Sequence, residues 1–293
     1  MLSDYVERLI DRNKYILHQN KDIVEIIKKL EGVVLNKKII DNFVDVSRKE
    51  EFWLGLVSPR LYALLLNNGP FENIQIEFDD ISLISNLYRD LIDFKSRFTA
   101  THTAGVAACA VKMSELFGLA GLDVKSMRIA GNLHDIGKLI IPNSILEKPD
   151  KLTVDEYATM RCHTYYTYHT INSIGGLGRI AEWAAYHHEK LDGSGYPFHC
   201  SAEEIGTGSR IMSVADIFTA ISEDRPYRKG MNRDEVYKVF KNQRDNNFLD
   251  SRIVDLLFDN YDTVSIYVSE KQALAKIFYE KRFLTVANKS MVL

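Results

Sequence analysis

The chain has 293 residues, 46% of them hydrophobic, enough for one large domain or two modest ones with a substantial core. Its formal net charge of -3 excludes a global field that would gather a nucleic-acid polymer or an anionic membrane, so a charged substrate requires a local basic patch. No apolar run approaches the roughly 20 residues of a spanning helix, and the opening MLSDYVERLIDRNK interrupts its hydrophobic stretches with Asp and Arg; a cytoplasmic protein without membrane insertion is expected. Cys109, Cys162 and Cys200 are odd in number and lack CxxC spacing, which points to buried free thiols and away from disulfides or a thiolate zinc site.

Residues 1–93 carry apolar positions at helical spacing, such as Val6, Leu9 and Ile10, then Ile23, Ile26, Ile27 and Leu30. Turn formers at Gly32, at Ser58-Pro59 and at Asn67-Asn68-Gly69-Pro70 divide this stretch into short helices, giving an N-terminal helical module with a regulatory or dimerising role as its expected use. The helical period of Asp80 to Lys95 leads into the second region without a Gly/Ser or Pro-rich linker. From 94 to 293 the segments Thr103–Phe117, Lys125–His134, Thr153–Ser173, Leu177–His188 and Ser209–Ile221 all favour helix, with a closing helix over Val268–Tyr279. The expected architecture is all-α.

Chemistry concentrates in the second region. In HDIGK, His134, Asp135 and Lys138 fall within about one helical turn, so a helix end there would present imidazole, carboxylate and ammonium together. A His-Asp pair alone is weak, because such pairs arise by chance. His187 and His188 follow the apolar WAAY, and Asp216 sits within RIMSVADIFTAI, so each needs a partner if buried. A divalent cation satisfies several such groups at once; a salt bridge to a nearby arginine is the alternative for Asp216. His102 and His163, on helix-like segments, complete a set of imidazoles and carboxylates without thiolate, which suits iron, manganese or zinc better than calcium. Asp135 is placed to bridge two metals about 3.5–4 Å apart, so two divalent ions are expected.

HDIGK with IPNSILEKPDKLT, then MRCH, HHEKLDGSGYP, RIMSVADIF and DRPYRKG, in this order and spacing, resembles the HD-GYP family, an all-helical branch of the HD phosphohydrolases, over roughly residues 97–255. The resemblance implies a helical HD-type bundle with metal ligands at His102, His134, Asp135, His163, His187, His188 and Asp216, Asp135 bridging. It implies two ions, iron first, and hydrolysis of the bacterial second messenger cyclic-di-GMP by water activated between them. Asp135 and Lys138 become the catalytic pair, with Lys138 on the scissile phosphate. Arg225, Arg228 and Lys229 become the basic patch for a dianionic substrate, and Tyr196 stacks on or bounds the nucleotide. Without the resemblance, DRPYRKG reads as a solvated charge cluster.

The chain departs from the family pattern at several points. Phe98 stands where some members carry a glutamate that holds a third metal. Thr167 replaces a usual glycine, which predicts a narrower pocket, and Thr219 replaces a second acidic residue, with a loss of support for the ligands. These departures keep open a second reading, a weakly catalytic cyclic-di-GMP sensor that contacts protein partners or itself as a homodimer. A nucleotidase of the wider HD group is a third, disfavoured by the intact GYP and DRPYR segments. His18, His169 and His199 are expected outside the constellation.

Overall fold

A computed structural model of the chain describes residues 1–58, 76–95, 101–224 and 229–290, the side chains of 282–290 excepted. Among the described residues the regular structure is helical, and extended backbone pairs in two isolated bridges, Glu31 with Leu35 and Asp192 with Ser201. The chain therefore adopts the all-α class that its apolar spacing predicts. No helix among the described residues is long and apolar enough to cross a membrane.

Two compact units divide the chain, Met1–Gln75 and Ile76–Leu293. In the first, α1 (Leu2–Leu9), α2 (Asn20–Lys28), α3 (Lys37–Ser47) and α4 (Glu50–Leu56) enclose a small core that includes Val6, Ile23, Ile27, Ile40 and Phe43. Trp53 is fully buried at its centre; its indole donates to the Ser47 carbonyl at 2.8 Å, which satisfies the one polar atom the ring brings inside. Asn36 caps α3 by accepting from the Lys38 amide, and Gly32 supplies the positive φ of 72° at the expected break. Pro59 and the Asn67-to-Pro70 break lie outside the described residues.

The second unit contains α5 (Phe78–Lys95), α6 (His102–Phe117), α7 (Gly121–Leu133), α8 (Asn143–Leu146), α9 (Val154–Asn172), α10 (Gly178–Ala185), α11 (Thr207–Ser222), α12 (Arg233–Asp245), α13 (Ser251–Asp259) and α14 (Tyr261–Ser290). α14 extends well beyond the closing helix expected over 268–279. The expected domain boundary near 93 falls instead at 75/76, because α5 packs into the second core: Ile92 is buried there, Ser85 accepts from Asn132 of α7 at 2.9 Å, and Asp93 accepts from Thr103 of α6 at 2.6 Å. Periodicity shows that a helix forms; it does not show which core receives its apolar face.

α6 is the central helix, buried from His102 through Val111. Its small residues allow a close crossing with α7: a Cβ on Gly131 would lie 2.6 Å from the Ala107 Cα. That approach brings the start of α6 against the end of α7, and the rings of His102 and His134 stand 5.7 Å apart. Cys109 and Cys200 are buried free thiols as expected, whereas Cys162 is exposed because it faces outward on α9.

Candidate metal centre

Five helix ends and faces deliver the seven predicted ligands to one place. His102 opens α6, and His134 closes α7. Asp135 links α7 to a 3-10 turn, Ile136–Ile140, that carries Lys138. His163 lies in α9, His187 and His188 in the 3-10 turn Tyr186–His188 after α10, and Asp216 in α11. The apolar neighbours force these polar groups inward: Ala184 and Ala185 precede the two histidines, and Val214 and Ala215 precede Asp216, all four fully buried.

The side chains form two triads, His163 with His187 and His188, and His102 with His134 and Asp216, each with its ligand atoms within 4.8 Å of one another. Asp135 lies between them. Its Oδ1 is 3.4 Å from His163 Nε2 and 4.0 Å from His187 Nε2, while its Oδ2 is 3.3 Å from His134 Nε2 and 2.6 Å from Lys138 Nζ. In the second triad His102 Nε2 is 3.2 Å from Asp216 Oδ1, and His188 Nδ1 approaches Asp216 Oδ2 at 3.9 Å.

Three histidines are oriented by one device. His134 Nδ1 lies 2.8 Å from the Gly131 carbonyl, His163 Nδ1 2.7 Å from that of Met160, and His187 Nδ1 2.7 Å from that of Ala184. A carbonyl only accepts, so each Nδ1 carries a proton and each ring turns its Nε2 to the centre. The Nε2 atoms of His163 and His187 then face each other at 3.4 Å with lone pairs opposed, an arrangement that a cation between or beside them would relieve. His134 Nε2 and Asp135 Oδ1 are buried without a hydrogen-bond partner, which divalent ions would supply. The donor set, five imidazoles and two carboxylates, fits such ions.

Burial opposes the charge of His134, but Asp135 and Asp216 raise its ring above the usual imidazole range; electrostatics keep five other donors in ligating form. Burial pushes His163 down to about 3, against the pull of Asp135, and holds His187 well below and His188 below the usual imidazole range. Asp135 stays ionised: burial opposes its charge, but Lys138 and His134 hold its carboxyl well below the usual carboxylate range. Asp216 is likewise depressed, burial again opposing and His102, His187 and His188 prevailing.

Thr167 does not narrow the pocket as its replacement of glycine predicts. It is fully buried behind the centre, where its hydroxyl accepts from the Gly137 amide and donates to the His134 carbonyl, both at 3.1 Å. Gly137 passes so close to α9 that a Cβ there would sit 1.9 Å from the His163 carbonyl oxygen. Thr219 donates its hydroxyl back to the Ala215 carbonyl at 2.8 Å, a bond within its own helix.

A cavity of about 390 Å³ opens beside the centre, lined by His187 and His188 together with Tyr157, Arg161, Lys190 and Tyr196. Arg161 lies over the Tyr196 ring at 4.7 Å, and that ring is 4.9 Å from the ring of His188. The loop carrying Tyr196 is pinned by the buried Glu189, which accepts from the amides of Phe198 at 2.7 Å and Cys200 at 3.1 Å. Gly193 adopts φ 78°, and a Cβ on Gly195 would lie 2.4 Å from Glu189 Cα, so both glycines serve the turn. Sequence reasoning missed Arg161, although Tyr157 and Arg161 stand four apart on α9 and hence share a face. Lys229 is exposed and does not line this cavity; Arg225, Arg228 and Phe98 lie outside the described residues. His18, His169 and His199 are exposed, and none belongs to either ligand triad.

A family profile described as HD domain matches residues 86–253. The chain is 31% identical over 262 residues to 3'3'-cGAMP-specific phosphodiesterase 1 of Vibrio cholerae serotype O1, an alignment covering 88% of this chain and 61% of that protein. It is 34% identical over 185 residues to the cyclic di-GMP phosphodiesterase response regulator RpfG of Xanthomonas campestris pv. campestris, covering 62% of this chain and 48% of that protein. Among solved structures, that of a cyclic GMP-AMP specific phosphodiesterase of V. cholerae superposes with a TM-score of 0.55 at 25% identity, covering 83% of this chain and 56% of that one. The chain thus spans about half to three fifths of the length of these relatives. With the profile covering more than half of the chain and the seven-residue constellation in place, the chain belongs to the HD domain family, in its HD-GYP branch.

Proposed function

We propose that the chain is a metal-dependent phosphodiesterase of cyclic dinucleotides, holding two divalent ions on His102, His134, Asp135, His163, His187, His188 and Asp216. The observation that carries this reading is the pair of ligand triads with one oxygen of Asp135 turned to each, at the mouth of a cavity of nucleotide-binding size. Iron is the first expectation, manganese or zinc the alternatives that the same donors accept. When bound, such ions supply Lewis acidity toward phosphoryl oxygens and water.

The chain's own groups supply the rest. Lys138 is partly exposed, so its ammonium is available to an anionic phosphate while its contact with Asp135 fixes its position. Arg161 and Lys190 add positive charge to the cavity, and Tyr196 offers an aromatic face to a base. Burial of six of the seven ligands excludes water from all but the cavity side, which strengthens every charge interaction there.

Cyclic-di-GMP is the substrate that the sequence resemblance implies. The names of several relatives favour a second reading, 3'3'-cGAMP, which differs in one of the two bases. Hydrolysis of both dinucleotides by metal-loaded protein, compared as kcat/KM, tests the proposal. Metal-dependent turnover of either supports it, and the ratio assigns the substrate. Binding without metal-dependent turnover contradicts it in favour of the sensor reading.

A further inference from the structure

His102 lacks the orienting contact that the other α-helical ligands have. His134, His163 and His187 each donate Nδ1–H to a carbonyl three residues earlier, an option that depends on a preceding helical turn. His102 is the first residue of α6, and its buried Nδ1 has no hydrogen-bond partner. The nearest carboxylate is Glu223, whose Oε2 is 3.8 Å away and is itself buried without a partner. Thr101, the residue before His102, donates its hydroxyl to Glu223 Oε1, which leaves Oε2 as the oxygen turned to the ring.

Asp216 lies within α11, and Glu223, seven residues on, is the residue that caps its end. Asp216 Oδ1 meets His102 Nε2 at 3.2 Å and Glu223 Oε2 approaches Nδ1 from the other edge, so one helix holds both edges of the imidazole. Thr219, midway between them, donates its hydroxyl to the Ala215 carbonyl at 2.8 Å.

We infer that Glu223 is a positioning residue for His102: it accepts a hydrogen bond from Nδ1–H and so fixes the tautomer with Nε2 free for metal. The inference rests on the metal-centre reading above. Removal of such a partner in metal sites typically costs about 10- to 100-fold in metal affinity. It does so without touching a ligand.

The test is competition for Mn²⁺ between the full chain and a chromophoric chelator, for wild type, Glu223→Ala, Glu223→Gln and Thr101→Val, with melting of the metal-free proteins alongside. Glu223→Ala is expected to weaken one of two ions by about 10-fold or more. Glu223→Gln, whose amide oxygen still accepts from Nδ1–H, restores most of that loss, and Thr101→Val shows a smaller loss in the same direction. A purely structural role would lower the metal-free melting temperature and would not distinguish Gln from Ala in affinity. Wild-type affinity in Glu223→Ala, or equal loss in Ala and Gln, overturns the inference while leaving the metal centre standing; a wild type that binds no ion overturns both.

Discussion

The Thr167 hydroxyl accepts a hydrogen bond from the Gly137 amide at 3.1 Å, and through it α9 is fastened to the turn that carries Asp135 and Lys138. The same hydroxyl donates to the His134 carbonyl, so one buried side chain satisfies two backbone groups left over where α7 ends. Thr167→Val keeps the shape but leaves both groups unsatisfied. It is expected to destabilise the protein by about 1–3 kcal/mol, read from urea unfolding, and to loosen metal binding through displacement of His134. Unchanged stability would mean that water or a backbone shift replaces the threonine.

Arg161 and Tyr196 line the cavity beside His188. Arg161→Ala removes both a charge for phosphate and the cation resting on Tyr196, so it is expected to raise KM for the dinucleotide by about 10-fold, roughly 1.4 kcal/mol, with a smaller change in kcat. Steady-state kinetics separate the two; a loss confined to kcat would place Arg161 at the reacting phosphate instead.

Asp93 provides a pH dependence. Burial raises its carboxyl to about 8, with the Thr103 hydroxyl and the charges of Arg89 and His134 opposing. A carboxyl whose folded pKa is raised favours folding while protonated, so its contribution is complete below the unfolded value near 4 and is lost as pH rises through 8. Asp93→Asn cannot ionise. Relative to wild type its stability is expected to increase between pH 5 and 8, by up to about 1 kcal/mol per pH unit, measured by urea unfolding at several pH values. A difference independent of pH would show that Asp93 remains ionised throughout.

His187, His188 and Asp216 were legible in the sequence because each is an ionisable residue beside an apolar run, Ala184 and Ala185 before the histidines and Val214 and Ala215 before Asp216, while the full seven-residue set was legible through the resemblance to the HD-GYP pattern. Burial of a group that cannot be left alone is a strong local signal. The role of Thr167 was not legible, since nothing in TYYTY reveals that its side chain faces the end of α7 and not the cavity. α5 was misassigned for a similar reason: Asp93 and Ser85 look like surface residues until Thr103 and Asn132 are brought to them across more than forty residues in one case and ten in the other. Arg161 escaped notice beside the more conspicuous His163, although its four-residue spacing from Tyr157 marks a second functional face of α9. Glu223 became significant only when the partnerless Nδ1 of His102 was seen.

The central claim is that Asp135 joins two metal sites. The most direct test is metal content of anaerobically iron- or manganese-loaded wild type and Asp135→Asn, with cyclic-di-GMP and 3'3'-cGAMP hydrolysis measured on the same samples. The account predicts about two ions per chain and metal-dependent turnover for wild type, with both falling sharply in Asp135→Asn. Two ions retained in Asp135→Asn with undiminished turnover would contradict it.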